Sequence, residues 1–232
     1  MKYLALLLLL IPFSANAATL VDDTFTEGSN TDLQSHTPDT GSGYTFLSGA
    51  TQQVKASLDA LGSDPTRSLY TNDTEIGSAD YDVYITIKHG GSAYVPTMAC
   101  VRINGASNDR YCGGLVDNGG NPASGIIKVV SGTETRLGTA DTFGPAIDDI
   151  YRLNVTGSDL TLYRNGVSKV TATDSDVTAI GKAGMDFKGS NSGTDSIDIQ
   201  IDNFQVVGTA AGGAGAAIIR SILSLVRAFW IF

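Results

Sequence analysis

The chain has 232 residues and a formal net charge of −9, with 24 acidic and 15 basic residues. This length suits one large domain with short appendages. All of the acidic residues lie between Asp22 and Asp202. A nucleic-acid partner requires a basic surface, so the charge excludes that class and favours neutral or cationic partners.

Residues 1–17 have the pattern of a secretory signal peptide, with a basic Lys2, an apolar stretch over residues 4–13 and small residues at 15–17. The apolar stretch is about ten residues long, whereas a membrane span needs roughly 20. We therefore expect cleavage rather than an uncleaved anchor. The mature protein is expected to begin near Ala18 and to be secreted or held at the cell surface, outside the cytoplasm.

Residues 18–207 contain a series of short strand candidates separated by turns. Within residues 79–89, apolar and polar side chains alternate with a period of two, as in a strand with one buried face. Further candidates are residues 20–25, 44–47, 53–58, 68–70, 97–104, 109–116, 125–130, 135–138, 167–172, 183–187 and 197–207. About a dozen short strands without a helical period predict an all-β, antiparallel two-sheet sandwich.

Two cysteines, Cys100 and Cys112, flank a turn expected near residue 106. Strands that fold back there place the cysteines opposite each other and on the same outward face. In an oxidising compartment this predicts a cross-strand disulfide. A catalytic thiol or a metal site fits less well, because there is no CxxC spacing and because His36 and His89 are expected to be solvated.

Residues 150–166 give the clearest hairpin pattern. Two alternating strands are joined by a turn at Gly157 and closed by Asn165 and Gly166. Both closing residues tolerate the positive φ that a tight type I′ turn requires. Together with the strand that follows, these residues predict a meander.

At Gly208 the composition changes to a Gly/Ala linker over residues 208–215. Residues 216–232 are strongly apolar and predict a C-terminal helix, with Arg220 and Arg227 on one stripe. Because arginine is costly in a membrane span, we favour a helix that lies on a membrane surface or inserts into a partner protein. A true anchor and a sorting signal remain open.

Residues 151–167 resemble the signature hairpin of concanavalin A-like lectin and glucanase jelly rolls, including laminin G-like modules. Residues 21–25 look like the opening strand of those domains, and residues 201–206 look like the closing strand. The resemblance covers about residues 19–207. It implies a jelly roll and a carbohydrate-binding or adhesive module, with a glycan or surface polysaccharide as partner.

Enzymes also occur in this family, and their catalytic residues follow recognisable sequence patterns. Retaining glucanases of this fold place two glutamates and an aspartate alternately on one strand. The nearest run, Asp195, Asp198 and Asp202, has no glutamate and lies on the last strand, where an exposed polar face is expected. There is no nucleophile elbow. We therefore expect no catalytic residues and no enzyme, and a glycan hydrolase is the least favoured function.

Sugar sites need stacking aromatic rings and planar polar side chains. Tyr84 and Tyr163 are the outward-facing aromatics. In the cysteine register Arg102 lies opposite Arg110, which destabilises the strand pair unless an anion lies between them. The expected ligand-binding residues are therefore Tyr84, Arg102, Arg110 and Tyr163, with an acidic sugar as ligand. The alternative is an acidic side chain of the same chain: Asp82, Asp109 or Asp186.

The resemblance also implies calcium, for which Asp22, Asp23 and Asp202 are candidates. No EF-hand spacing occurs, so we assign no ligand set and expect no other cofactor. The sequence thus favours a secreted, non-enzymatic glycan-binding or adhesion module. The alternative is a structural surface or virion-associated protein whose tail drives assembly or membrane association.

Overall fold

The computed structural model describes residues 17–29, 31–49, 53–55, 57–59, 67–88, 96–119, 121–142, 146, 148–188 and 200–208. The predicted signal peptide (except Ala17), most of the linker, the C-terminal helix and His89 lie outside these residues. The strands of the described part are β1 Ala18–Asp23, β2 Thr31–Asp32, β3 Tyr44–Ser48, β4 Gln53–Lys55, β5 Ser57–Asp59, β6 Arg67–Asn72, β7 Tyr81–Lys88, β8 Thr97–Ile103, β9 Arg110–Asp117, β10 Pro122–Val130, β11 Thr133–Thr142, β12 Asp149–Thr156, β13 Asp159–Arg164, β14 Val167–Thr173, β15 Lys182–Lys188 and β16 Gln200–Gly208. A single turn of 3-10 helix spans Leu33–Ser35.

The strands form two antiparallel sheets. The nine-stranded sheet has the order β14-β13-β12-β7-β16-β5-β4-β2, and β1 also pairs with β16. The seven-stranded sheet has the order β11-β10-β9-β8-β15-β6-β3. The predicted all-β, two-sheet architecture is confirmed. Within the described residues, no helix has the length and apolar character that a membrane crossing requires.

The main core lies between the two sheets and is built by alternation along the strands. In β7, Tyr81, Val83, Ile85 and Ile87 are buried while the residues between them are partly exposed. Side chains of a strand point alternately to opposite faces, so one apolar set enters the core and one polar set meets solvent. The predicted facing is confirmed for Tyr81–Lys88.

The predicted hairpin of β12, β13 and β14 is also confirmed. Asn165 and Gly166 have φ values of 50° and 78°, as a type I′ turn demands. The Asn165 side chain accepts a hydrogen bond from the backbone N–H of Ile150 and donates one to Asp149.

Residues 53–58 were expected to form one strand, and this expectation is wrong. Lys55 pairs with Ser57, so the chain reverses between β4 and β5.

The first and last strands of the domain are neighbours. β1 and β16 pair antiparallel from Ala18 opposite Gly208 to Asp23 opposite Phe204. β16 also pairs with β7 and β5. It therefore lies in the interior of the sheet and joins its two halves, and both ends of the described domain leave it at the same edge.

The outer face of the seven-stranded sheet carries a second buried apolar cluster. Its buried members are Leu69, Met98, Cys100, Ile103, Cys112, Val116, Ala123, Ile127 and Val129. Cys100 and Cys112 pair directly across β8 and β9 and form a disulfide. The predicted disulfide and its position on the outward face are confirmed, but this face is buried rather than open to solvent.

Candidate functional site

Five polar or aromatic side chains form a row across the outer face of the nine-stranded sheet. They are partners in the strand register: Tyr163 pairs with Arg152, Arg152 with Tyr84, Tyr84 with Gln205, and Gln205 with Asp22. Each is partly exposed, whereas their neighbours along the strands enter the core. The row therefore presents flat, polar groups from five adjacent strands to solvent.

Arg152 lies between the two tyrosines of this row. Its guanidinium carbon is 3.7 Å from the ring centroid of Tyr163 and 5.9 Å from that of Tyr84, within the range of a cation–π interaction. Burial lowers the pKa of Arg152, but its hydrogen bond with Tyr84 and the charge of Asp82 outweigh that effect and raise the pKa. Arg152 is therefore a fixed positive charge stacked on aromatic rings.

The rest of the row is organised by amide–carboxylate hydrogen bonds. Gln205 donates to Asp22 at 3.3 Å, and beside the row Asn154 donates to Asp82 at 2.9 Å. Planar amide and carboxylate groups of this kind can each bond two adjacent hydroxyls of a ligand. The arrangement thus combines stacking surfaces with paired donors and acceptors.

The structure brings together only two of the four expected ligand-binding residues. Tyr84 and Tyr163 flank Arg152 in the row. Arg102 is buried at one end of the sandwich, and Arg110 lies on the disulfide face of the other sheet. The expected facing pair of Arg102 and Arg110 is therefore wrong.

A β-bulge explains why Arg102 leaves the disulfide face. Gly184 pairs with Cys100 but Lys182 pairs with Ile103, so two residues of β8 oppose one residue of β15. Arg102 has a φ of 53°, and Ile103 takes the place on the disulfide face that strict alternation assigns to Arg102. An extra residue in one strand reverses the facing of everything beyond it.

Arg102 donates hydrogen bonds to four acceptors of the chain itself. Its guanidinium donates to the carbonyl oxygens of Ala79 at 2.9 Å, Val177 at 3.0 Å and Gly157 at 2.7 Å, and to the carboxylate of Asp80 at 3.2 Å. These acceptors belong to three separate loops, so Arg102 joins the loops at this end of the sandwich. The contacts indicate a structural role.

Arg110 has an acidic partner within the chain, as the alternative interpretation predicted. Its Nη2 donates to Oδ2 of Asp186 at 2.7 Å, and Asp186 is fully buried. Asp186 is opposite Met98 in the register of β15 and β8, so the pair lies beside the disulfide on the outer face. The charge of Arg110 is thus compensated there.

Next to Arg102, at the end of the sandwich, is a cleft of about 450 Å³. Its charged and polar lining includes Glu75, Asn104, Asp109, Asp176 and Lys182. Lys182 is paired with Asp73 at 2.6 Å, and Asp109 accepts a hydrogen bond from Ser131. The cleft is acidic, because its lining has three carboxylates, Glu75, Asp109 and Asp176, against the two cations Arg102 and Lys182.

His36 is not solvated, contrary to the expectation from sequence. It is 6% exposed, with Nε2 2.8 Å from Asp23 and Nδ1 2.9 Å from Glu27. The Tyr44 hydroxyl also donates to Asp23 at 2.7 Å. Burial opposes the charged form of His36, but the hydrogen bonds and charges of Asp23 and Glu27 prevail and raise its pKa above 6.5. Its position in a turn-rich stretch gave no sign of burial.

The carboxylates proposed for calcium do not fit a calcium site. Asp22 bonds Gln205 on the outer face, whereas Asp23 is buried against His36 and Tyr44. Consecutive strand residues point to opposite faces, so the two cannot share an ion. Among the described residues, the group of potential ligands close enough for a metal is Cys100, Cys112 and Asp186, and its two cysteines are disulfide-bonded.

The aspartate run of the last strand shows no catalytic pair among the described residues. Asp202 lies 3.3 Å from Lys88 in an ion pair, while Asp195 and Asp198 lie outside the described part of the chain. Arg152 was not among the residues expected from the sequence, although the alternation along β12 gives it an outward position. Only the strand order shows that Tyr84 and Tyr163 are its neighbours on either side.

No family model matches the chain, and no curated protein matches it either. Among solved structures, one concerns the endo-acting O-glycanases that prominent members of the human gut microbiota express to initiate mucin breakdown. It is 12% identical, covers 82% of this chain and 99% of its own, and has a TM-score of 0.56.

Two further similar structures are domain 4 of the extracellular arabinanase AbnA from Geobacillus stearothermophilus and a carbohydrate-binding module from Bacillus subtilis. The first is 14% identical, with coverage of 84% and 94% and a TM-score of 0.49. The second is 13% identical, with coverage of 73% and 94% and a TM-score of 0.48. Such identities bear on the fold alone, and these two scores are too low to carry an argument. From its strand order and the first likeness, the chain has the concanavalin A-like jelly-roll fold.

Proposed function

We propose that this protein is a secreted, non-enzymatic module that binds glycans on the outer face of the nine-stranded sheet. The proposed contact residues are Tyr84, Arg152 and Tyr163, with Gln205 at the edge of the site. The observation that carries the proposal is the cross-strand row, in which Arg152 is stacked on Tyr163 at 3.7 Å. Arg102 and Arg110 are not part of the proposed site, because both are engaged in buried contacts.

The chemistry of the row suits a sugar ring. Tyrosine presents an apolar face for the C–H groups of a pyranose and a hydroxyl for its polar rim. The guanidinium of Arg152 and the amide of Gln205 supply planar donors that match adjacent hydroxyls or a carboxylate. An acidic sugar gains most from Arg152, whereas Asp22 and Asp82 favour ligands that also carry hydroxyl donors.

Secretion is supported by two independent features. The disulfide between Cys100 and Cys112 is of a kind that persists in oxidising compartments. β1 begins at Ala18, directly after the expected cleavage site. The first described strand thus begins just past the residues that signal cleavage would remove.

The proposal is tested by screening residues 18–232 against neutral and acidic glycans, with and without calcium. We expect binding that weakens at least about tenfold in Tyr84→Ala and in Arg152→Ala, since central aromatic and arginine contacts dominate binding free energy. Arg136→Ala is the matched control. It also removes one positive charge, but from an exposed position on the other sheet.

Three results are decisive. Binding that is lost in both row variants and kept in the control supports the proposed site. Binding that survives in both variants places the ligand elsewhere, and the acidic cleft beside Arg102 is then the next site to test. Absence of binding to every glycan contradicts the proposal and favours the structural or virion-associated alternative.

A further inference from the structure

The cleft beside Arg102 is separate from the proposed glycan site. It measures about 450 Å³, within the range of about 300–1,000 Å³ that small-molecule sites occupy. Its lining comes from three stretches of chain, within residues 74–76, 102–109 and 176–182. The residues of the cross-strand row are different ones, on the outer face of the nine-stranded sheet. The cleft can therefore bind a ligand of its own.

Hydrogen bonds within the chain hold the walls of the cleft in place. The stretch 176–182 is fixed at Val177, whose carbonyl oxygen accepts from Arg102 at 3.0 Å. The N–H of Val177 donates to the Tyr111 hydroxyl at 2.9 Å. On the opposite wall, the side chain of Asn104 accepts from two backbone N–H groups of its own turn. A ligand that enters a preformed cleft of this kind does not lose affinity to the ordering of loops.

Part of the cleft surface is apolar. Ile76, Ile103 and Val177 are buried residues of its lining, and Ile180 is a lining residue that is 59% exposed. Small-molecule sites combine such apolar surface with a small number of polar groups that fix the orientation of the ligand. The carbon body of a ligand can therefore pack against the isoleucine side chains.

Most charged groups of the lining are compensated by ion pairs within the chain. These pairs engage both cations of the lining and one of its three carboxylates. They are Arg102 with Asp80, Lys182 with Asp73, and Asp176 with Lys128.

Glu75 and Asp109 carry the remaining charge of the cleft. Within the part of the chain that the structure describes, neither of them forms an ion pair. Glu75 is exposed, and Oδ1 of Asp109 accepts a hydrogen bond from the backbone N–H of Ser131 at 2.7 Å. Because that donor is neutral, the charge of the carboxylate is not compensated. The cleft thus presents two negative charges beside an apolar surface.

We propose that this cleft binds a small organic molecule that carries an ammonium group. Ammonium and carboxylate groups form charge-assisted hydrogen bonds, which are about twice as strong as neutral ones. An ammonium group has three N–H donors, so Glu75 or Asp109 can accept from it while the carbon body contacts the isoleucines. A calcium ion instead requires about six to eight oxygen ligands and gains nothing from apolar contacts. The apolar lining therefore favours an organic cation.

The proposal is tested by following the isoleucine methyl resonances of residues 18–232 by NMR during titration with matched probes. Cyclohexylamine is compared with cyclohexanol, and glucosamine with glucose, at pH 6, where both amines are protonated. We expect shifts at Ile103 and Ile180, and binding of the amine at least about tenfold stronger than that of its neutral counterpart. The pair with the larger preference identifies the body of the ligand as hydrocarbon or sugar.

The variant for this test is the double substitution Glu75→Gln with Asp109→Asn. It removes both charges at nearly unchanged shape, and an amide at position 109 keeps an acceptor for the N–H of Ser131. We expect at least about tenfold weaker binding of the preferred amine. Asp32→Asn is the matched control, because Asp32 is exposed and does not line the cleft.

Four results would overturn the proposal. They are equal binding of amine and neutral counterpart, equal binding of the amine by the double variant and the control, isoleucine resonances that no probe shifts, and displacement of the amine by equimolar calcium chloride. The last result would assign the carboxylates to an inorganic cation. Tyr84→Ala and Arg152→Ala should leave amine binding unchanged, so this test is independent of the proposed glycan site.

Discussion

At the scale of single residues, Arg102 shows how one charged side chain can organise the end of a sandwich. Its guanidinium donates hydrogen bonds to backbone carbonyls of three loops and to the carboxylate of Asp80. The backbone N–H of Arg102 also donates to the Tyr81 hydroxyl at 2.5 Å. The positive φ at this residue directs its side chain to these acceptors. The loops around the cleft are thus positioned by a residue whose sequence context suggested an exposed ligand contact.

We predict that Arg102→Met lowers the free energy of unfolding by about 3 kcal/mol, because buried acceptors lose a charged donor. The measurement is urea unfolding with the disulfide intact. A lower midpoint with an unchanged slope of the unfolding free energy against urea is expected. Arg152→Met is the matched control and should cost less than about 1 kcal/mol, since Arg152 is partly exposed. Equal effects of the two substitutions would contradict the structural role of Arg102.

His36 is a second residue whose environment predicts a measurable property. Its raised pKa means that the protonated form is favoured in the folded protein. The stability that it contributes is fully present below the unfolded pKa of about 6.5 and is lost as the pH rises through the folded value. Tyr44 stays neutral throughout, because burial raises its pKa well above 10.

We therefore predict that the urea midpoint of the wild type falls between pH 6 and pH 9, and that it falls less in His36→Gln. Other groups titrate equally in both proteins, so the difference between them isolates His36. If the urea midpoint declined equally with pH in the wild type and in His36→Gln, the prediction would be contradicted. The contacts of Asp23 and Glu27 with protonated His36 would then contribute no stability.

At the scale of elements, close strand approach depends on a few glycines. A Cβ at Gly184 would lie 2.0 Å from the carbonyl oxygen of Tyr70 and 2.6 Å from Cδ1 of Ile103. The first of these is backbone of the paired strand β6 and cannot turn away. Gly184 thus sets how closely β15 lies between β6 and β8.

We predict that Gly184→Ala destabilises the protein by about 1–3 kcal/mol or more, as overpacking does in tightly packed sites. Gly105→Ala is the matched control, since no heavy atom lies within 4 Å of its added Cβ. Thermal and urea denaturation of the two variants check the prediction. A Gly184→Ala protein as stable as the control would mean that β15 shifts without cost.

At the level of strands, the alternation of apolar and polar residues predicted most of the fold but not the β-bulge that interrupts β8. Clear period-two stretches such as β7 and the β12–β13 hairpin were assigned with the correct facing, because burial of one face dictates the pattern. The bulge at Arg102 has no sequence signal, since the residue with positive φ is not a glycine. The facings inferred for Arg102 and Ile103 were therefore reversed, whereas Val101 enters the core as predicted. The predicted arginine pair failed with this reversal.

At the scale of the whole molecule, the candidate site could be predicted only in part. The outward facing of Tyr84 and Tyr163 can be predicted from local alternation. That Arg152 lies between them can be known only from the strand order, in which β12 lies between β7 and β13. His36 and Asp23 likewise meet through the path of the opening loop. Contacts between residues far apart in sequence depend on topology, and a single sequence does not contain that information locally.

The position of β16 has a consequence for the order of folding during synthesis. β16 pairs with β7 on one side and with β1 and β5 on the other. Without β16 the nine-stranded sheet is therefore in three separate parts, which are β1, the group of β2, β4 and β5, and the group of β7, β12, β13 and β14. A chain made from its N-terminus must carry β1, β5 and β7 with open hydrogen-bonding edges until residue 208 is available. Completion of the sheet is therefore a late, single event that closes the domain from its C-terminal end.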